Sequence, residues 1–251
     1  MIRYGDAREL IGTLEPASVQ LSFTSPPYFA KRTYGDQPGA EIGWGTVDDY
    51  LADLAKVLDG VHAALDREGS SWWVLGDAAA GSGGAGGDHL KKGSKHWIPA
   101  YGRAPAAPSG VRDGQWLLIP YRFAAMAQQR GWLVRSMIVW DKSPNVRPED
   151  PAHIHRPMVS TERIVMLTKQ VQCRWFPKRL AQPADIWRVA PRRGPGARRH
   201  VAPFPAELPT RAILATTERG HTVLDPFVGT GTTVDVAEGL GRRGIGFELY
   251  E

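Results

Sequence analysis

The chain has 251 residues, 42% of them apolar, with a formal net charge of +5 and a sequence pI near 9.4. That length suits one α/β domain or one domain with an inserted arm, the apolar content excludes global disorder, and the basic balance suits a polyanionic partner without requiring one. The single cysteine, Cys173, excludes an internal disulfide and a multi-cysteine zinc site, no apolar run reaches the roughly 18–20 residues of a membrane span, and Met1-Ile2-Arg3-Tyr4-Gly5-Asp6 is no signal peptide, so a reducing cytoplasm is expected.

In chain order, Val19, Leu21 and Phe23 alternate with polar residues and predict a short strand over 18–23, stopped by Thr24-Ser25-Pro26-Pro27-Tyr28. Residues 46–65 predict a helix that starts at Thr46, with Tyr50, Leu51, Leu54, Val57, Leu58, Val61 and Leu65 on one face. Ser71 to Asp77 reads as a buried strand. Residues 78–114, with five glycines between 81 and 87 and then His89, Lys91, Lys92, Lys95, His96 and Arg103, read as a flexible basic insertion. A segment this long is a surface loop or a nucleic-acid contact. A helix is expected over 120–130 from Pro120, then strands over 133–140 and 162–168. Residues 188–200 hold Arg188, Arg192, Arg193, Arg198, Arg199 and His200, which read as a phosphate-contact segment or a solvated basic loop. A helix over 206–219, a strand over 221–224, a helix through Gly239 and a strand over 244–248 close the chain. Strands alternating with helices imply a layered α/β sheet, mostly parallel. Most of the nine tryptophans are expected in the core, Trp140 among them, with a base-facing place as the other reading for Trp140.

Two stretches carry chemistry. The first is Asp225-Pro226-Phe227-Val228-Gly229-Thr230-Gly231-Thr232-Thr233, between a buried strand and a helix, where doubly wound folds bind nucleotide-like ligands. Gly229 and Gly231 let the backbone approach a ligand. Thr232 and Thr233 offer hydroxyls and amides at a helix start, suited to a carboxylate. Glu248 ends the next strand, where an acid can bind ribose hydroxyls. No lysine stands at the phosphate-loop position. The second is Thr24-Ser25-Pro26-Pro27-Tyr28, which presents a side-chain oxygen, a carbonyl and a flat ring at one point. A base amine needs acceptors, and an extruded base needs a stacking surface. A simple turn after a strand is the other reading.

Together the two stretches resemble the DNA amino-methyltransferases, the N4-cytosine and N6-adenine family, in its permuted β class with the TSPPY-type motif first and the cofactor motif last. Gly5-Asp6, Trp73-Val74-Leu75-Gly76-Asp77, Ile138-Val139-Trp140-Asp141-Lys142, Thr161-Glu162-Arg163-Ile164 and His200-Val201-Ala202-Pro203-Phe204-Pro205 resemble further segments of that family in the same order. The resemblance implies a Rossmann-like S-adenosylmethionine-dependent methyltransferase fold, with a mostly parallel seven-stranded sheet and helices on both faces. Residues 1–251 would form a single methyltransferase domain, with a small target-recognition region over 169–200.

The resemblance also implies roles. Asp225, Pro226, Phe227, Gly229, Gly231, Thr232 and Thr233 would hold the methionine part of S-adenosyl-L-methionine, with Thr24 beside them. Glu248 would bind the ribose, Asp6 would reach the adenine amine, and Phe204 and Pro205 would pack nearby. Ser25 and the Pro26 carbonyl would accept from the target amine, with Pro27 stiffening the turn and Tyr28 stacking on the flipped ring. No metal and no covalent intermediate is implied, so Cys173 needs no role. A serine before Pro-Pro-Tyr resembles the N4-cytosine branch, with N6-adenine as the alternative. Lys31, Arg32 and Tyr34 would close over DNA, and Lys91, Lys92, Lys95, Arg192, Arg193, Arg198 and Arg199 would contact it. Double-stranded DNA is the expected partner, with a second copy of the chain and a cognate restriction endonuclease as candidates, in a bacterial, archaeal or phage setting. Competing readings are a nucleic-acid-binding protein without catalysis and a methyltransferase of RNA or of a protein amide.

Overall fold

The computed structural model describes residues 1–29, 42–43, 45–80, 111–112, 114–142, 157, 159–180, 184–191 and 204–250. Its elements in chain order are β1 (Ile2–Tyr4), α1 (Ala7–Leu10), β2 (Val19–Thr24), α2 (Val47–Ala64), β3 (Leu65–Leu75), α3 (Ile119–Gln129), β4 (Leu133–Asp141), β5 (Thr161–Thr168), β6 (Ile186–Arg188), α4 (Glu207–Thr216), β7 (Thr222–Asp225), α5 (Thr232–Gly239) and β8 (Arg243–Glu248). Among the described residues no helix is long and apolar enough to cross a membrane.

The strands form one eight-stranded sheet, ordered β1-β8-β7-β2-β3-β5-β4-β6. Every neighbouring pair is parallel except the two that involve β5, which runs against both β3 and β4. Among the described residues the expectation of seven strands is corrected to eight. β1 and β6, three residues each, are too short to show a period, and they exist by pairing with β8 and β4 at the two edges. β6 also lies inside the 169–200 segment expected to serve recognition, so part of that segment is sheet, anchored by the buried Trp187.

Helices cover both faces, and the two-residue period of the strands sorts side chains between them. Trp73, Val165, Leu167, Leu224 and Phe247 pack with α2 and α3. Their neighbours Trp72, Ile164, Met166 and Val223 pack with α4 and α5. Burial on both faces is why Trp72 to Leu75 of β3 and Ile164 to Leu167 of β5 read as unbroken apolar runs. Two of the buried indoles keep a local partner: Trp72 Nε1 donates to Ser70 Oγ and Trp73 Nε1 to Ser71 Oγ, both at 2.8 Å. Trp140 is core, its Nε1 donating to the Val189 carbonyl at 2.8 Å.

The structure adds detail to three sequence expectations. β2 runs over Val19–Thr24 where 18–23 was expected, and its Ser22 and Thr24 are fully buried between β7 and β3. Its polar residues stitch it to β7: the Gln20 side-chain carbonyl accepts from Thr222 N at 2.8 Å, and Thr24 bonds Asp225. β3 begins at Leu65, not Ser71, because α2 passes into it without a loop. The stems of the 78–114 insertion are tied together, Ala80 N donating to the Gln115 carbonyl at 2.8 Å and Leu117 N to that of Ala78 at 2.9 Å. Residues 81–110 of the insertion lie outside the described residues.

α2 starts as expected. Thr46 Oγ1 accepts from Asp49 N at 3.1 Å while the Asp49 carboxylate accepts from Thr46 N at 2.9 Å, a reciprocal cap. At the other end of the chain, Gly244 and Gly246 clear the face of β8 against which α5 and the 226–231 turn rest. A Cβ on Gly246 would lie 2.6 Å from Val228 Cγ2 and 2.7 Å from its Cβ. Valine is stiff at χ1 and cannot swing away. Gly246→Ala is therefore expected to lower unfolding free energy by about 1–3 kcal/mol, as overpacking does, measured by urea denaturation. Stability equal to the parent would show that the turn is not seated on β8 this tightly.

Candidate active site

The chain turns from β7 through α5 to β8 on one side, and from β2 through α2 to β3 on the other. α5 and α2 lie on opposite faces. β2 and β7 are neighbours, so the sheet changes winding direction between them, and a crevice opens outside their carboxyl ends. Both chemistry-bearing stretches emerge there.

Asp225, the last residue of β7, is buried and accepts three hydrogen bonds: from Thr24 Oγ1 at 2.6 Å, Phe227 N at 3.1 Å and Thr233 Oγ1 at 2.6 Å. One carboxylate thereby joins the tip of β2, the 226–231 turn and the first turn of α5. Burial pushes its pKa up to about 6, against the pull of these three donors. Gly229 (φ 51°) and Gly231 (φ 88°) take backbone conformations that favour glycine, and Gly231 caps α5. Gly229 N donates to Glu248 Oε2 at 2.8 Å, and Leu249 N to Glu248 Oε1 at 3.2 Å. The half-buried Glu248 keeps further lone pairs for a ligand.

At the Thr24–Tyr28 stretch, Pro26 is buried, whereas Ser25, Pro27 and Tyr28 are half-buried. Tyr50 on α2 donates its hydroxyl to the Pro27 carbonyl at 2.9 Å, fixing the segment from below. Tyr28 donates its hydroxyl to Glu162 Oε2 at 2.6 Å, and Lys142 Nζ bonds Glu162 Oε1 at 2.6 Å. Burial, then the Glu162 charge, hold the Tyr28 phenol well above its usual pKa. Because β5 is antiparallel, its beginning lies at the same sheet edge as the ends of β2, β3 and β4, which is how Glu162 reaches Tyr28.

One pocket of about 130 Å³ takes residues from both stretches: Ser25 and Pro27 from Thr24–Tyr28, and Pro226, Phe227 and Gly229 from Asp225–Thr233, with Glu248 from the end of β8 and Gly5, Asp6 and Arg8 beside them. Apolar walls come from Ile42 and Phe247. Asp6 stands next to Glu248 because β1 pairs with β8, Gly5 N donating to the Glu248 carbonyl at 2.8 Å. Its carboxylate caps α1 and accepts from Arg8 N at 2.8 Å and Arg8 Nε at 3.0 Å, while Arg8 also pairs with Asp53 at 3.0 Å. Burial raises the Asp6 pKa, but the Arg8 bonds and charge outweigh it and leave a net lowering.

Several expected ligand residues sit elsewhere. Thr24, Asp225, Thr232 and Thr233 are buried under the turn and do not line the pocket. The Thr233 hydroxyl, expected to face a ligand carboxylate, is taken by Asp225. Gly231 does not line the pocket either. Phe204 packs edge-on against Phe23, centroids 5.4 Å apart and planes at 73°, on the α4 face, and neither it nor Pro205 lines the pocket. Lys31, Arg32, Tyr34, Lys91, Lys92, Lys95, Arg192, Arg193, Arg198 and Arg199 lie outside the described residues. Residues with no role in the sequence reading also appear: Arg8, Tyr50, Lys142 and Glu162. Lys142 and Glu162 stand in segments that resemble the family, and a basic and an acidic residue at the ends of two successive apolar strands are the signal that marks them.

The burial of Asp225 has a pH signature. The raised pKa means the folded state binds a proton that the unfolded chain, near 3.8, has released. This contribution to stability is full below pH 4 and is lost as pH rises through about 6. Relative to Asp225→Asn, the parent protein is expected to lose up to about 3 kcal/mol between these limits, read from urea midpoints across the range. A constant difference between the two proteins would contradict a desolvated carboxylate at this position.

Known proteins match this geometry. The DNA methylase model of N6/N4 methyltransferases matches residues 19–251. The type II methyltransferase M.SmaI of Serratia marcescens is 33% identical over 98% of this chain and 85% of its own length. Among solved structures, the PvuII DNA methyltransferase (cytosine-N4-specific) superposes with a TM-score of 0.72 at 20% identity, covering 99% of this chain and 81% of the other. Protein TTHA0409 of Thermus thermophilus, solved in complex with S-adenosyl-L-methionine, superposes with a TM-score of 0.63 at 26% identity, over 99% of this chain and 88% of the other. The family match spans both the base-side turn and the glycine turn that meet in the pocket, and the chain belongs to the N6/N4 DNA methylase family.

Proposed function

We propose that this chain transfers a methyl group from S-adenosyl-L-methionine to the N4 amine of cytosine in double-stranded DNA. The observation that carries the reading is a pocket lined jointly by Ser25 and Pro27 on one wall and by Phe227, Gly229 and Glu248 on the other. The serine at position 25 favours cytosine.

The residues present suit the cofactor. Gly229 presents open backbone at the pocket rim, with no atom within 4 Å of where a Cβ would stand. Glu248 offers acceptors for ribose hydroxyls, and Asp6 offers one for an adenine amine while Arg8 holds it in place. The two carboxylates also balance a cationic ligand. When bound, S-adenosyl-L-methionine supplies an electrophilic methyl group on a positively charged sulfur. Pro226 and Phe227 would position the methionine end, while Thr24, Asp225, Gly231, Thr232 and Thr233 would hold the turn that does so. Phe204 and Pro205 would support β2 from the opposite face.

On the substrate side, the base leaves the duplex, because its amine is out of reach while stacked and paired. Ser25 and the Pro26 carbonyl accept from the amine, and Tyr28 stacks on the ring. Alignment of nitrogen and methyl is the main catalytic contribution, and it depends on preorganised walls. The basic positions Lys31, Arg32, Lys91, Lys92, Lys95, Arg192, Arg193, Arg198 and Arg199 are assigned to DNA phosphates on their charge. The type II name of M.SmaI extends the proposal to a partner endonuclease with the same target sequence.

The test is base-resolution sequencing of DNA treated with the purified protein and cofactor. 4-Methylcytosine at one short sequence is expected, and loss of the mark with Ser25→Ala. 6-Methyladenine would overturn the base assignment, and no incorporation into any DNA would overturn the activity. Separately, Glu248→Ala is expected to weaken S-adenosyl-L-methionine binding about 10- to 100-fold, as lost hydrogen bonds to a charged group do, measured by titration calorimetry. Unchanged affinity would remove Glu248 from the cofactor site.

A further inference from the structure

Asp6 reaches the pocket from a weak support. It stands between β1 and α1, and α1 is a single turn of four residues, too short to hold its own shape. This turn is seated on the 18-residue helix α2. Ile11, just past α1, rests on Gly60, where a Cβ would lie 2.5 Å from Ile11 Cγ1. Two turns earlier on α2, Asp53 Oδ1 pairs with Arg8 Nη1 at 3.0 Å. The same guanidinium also grips Asp6: Nε lies 3.0 Å from both carboxylate oxygens, and Nη2 lies 2.5 Å from Oδ2. Arg8 N adds a bond of 2.8 Å to Oδ1. The three side chains are between 20% and 24% exposed, so water screens these pairs only in part. A guanidinium carries its donors in a planar, fixed fork, so an anchor at one nitrogen sets the direction of the others. One turn before Asp53, Tyr50 donates to the Pro27 carbonyl at 2.9 Å. Positions 50, 53 and 60 share one face of a helix.

We propose that Asp53 and Arg8 form a positioning pair through which α2 sets the Asp6 carboxylate as an acceptor for a 6-aminopurine, while Tyr50 on the same helix face sets the Thr24–Tyr28 turn. This rests on the reading that Asp6 receives the adenine amine of the cofactor. It goes beyond that reading by giving a role to Asp53, which does not line the pocket. A carboxylate ion only accepts, so the pair serves an amine and disfavours an oxo group at the same ring position. The separation of the two walls then depends on one helix, which suits a reaction governed by alignment. The charges around Asp6 are Arg8 on its own turn, Asp53 and Lys56 on α2, and Glu248 on β8. Burial pushes the Asp6 pKa up, and the Arg8 bonds and charge bring it below its usual value. Without Arg8 the burial remains, and Asp6 takes up a proton at a higher pH.

The test measures binding of S-adenosyl-L-homocysteine by titration calorimetry, from about pH 8 down to about pH 5. It compares the full-length protein with Arg8→Ala, Arg8→Lys, Asp53→Ala, the double variant Arg8→Ala/Asp53→Ala, and Asp6→Ala. At the upper pH, Arg8→Ala is expected to bind about 10- to 100-fold more weakly than the parent. Asp53→Ala is expected to bind about 3- to 10-fold more weakly. The double variant is expected to stay within about twofold of Arg8→Ala, because Asp53 acts only through Arg8. As pH falls, Arg8→Ala is expected to lose a further factor of about 3 to 10 relative to the parent, as its Asp6 takes up a proton. Glu248 is present in both proteins and cancels in that comparison. Arg8→Lys keeps the cation but not the fork, and is expected to keep the parental pH response without the parental affinity. Parental affinity in Asp53→Ala, additive losses in the double variant, or a parental pH response in Arg8→Ala would overturn the proposal. Parental affinity in Asp6→Ala would instead overturn the reading of Asp6 on which it rests.

Discussion

The Asp225 carboxylate is the interaction on which the site depends. Burying an unpaired carboxylate costs several kcal/mol, and three donors offset that cost only if all are in place. Two of them are hydroxyls from other elements, Thr24 on β2 and Thr233 on α5. Satisfying this one charge therefore sets the tip of β2, the tip of β7 and the start of α5 to within hydrogen-bond tolerance. The crevice between β2 and β7 is what those three elements enclose. Transfer between two small groups needs alignment finer than ordinary packing provides, and a buried, fully bonded acid is a stiff means of supplying it.

The reversed strand β5 is the second device. In a wholly parallel sheet only strand ends face the ligand edge. With one strand reversed, a strand beginning faces it as well, and Glu162 arrives opposite the end of β4. The ion pair with Lys142 then sits beside the Thr24–Tyr28 turn, bonded to Tyr28. Tyr50 on α2 holds the Pro27 carbonyl from the helical layer. The proline-rich turn is thus secured from β7, from β5 and from α2, three directions that have nothing in common along the chain.

Legibility in the sequence followed the range of the forces involved. α2 was readable because its cap, Thr46 with Asp49, is three residues long and its apolar face repeats at helical spacing. β7 and α5 were readable because an apolar run ends in a glycine turn that only a strand-to-helix junction needs. β1 and β6 were not, since three residues carry no period and only an edge partner makes them strands. The alternation of β2 gave the strand but not the use of its polar residues, since Gln20 and Thr24 are spent on the neighbouring β7.

Sequence alone determined which chemistry is present: a serine, two prolines and an aromatic ring at one strand end, and an acid with paired glycines at another. Those identities are local, and each narrows what its own turn can do. Tertiary structure decided which atoms meet. Thr24 and Asp225 stand 201 positions apart, and Tyr28 and Glu162 stand 134 apart. It also placed the Thr233 hydroxyl on Asp225, Arg8 on Asp6 at the pocket, and Glu162, with Lys142, on Tyr28. Hydrogen bonds act over about 3 Å, so their partners are chosen by how strands are ordered and which way they run, which no local pattern of residues records.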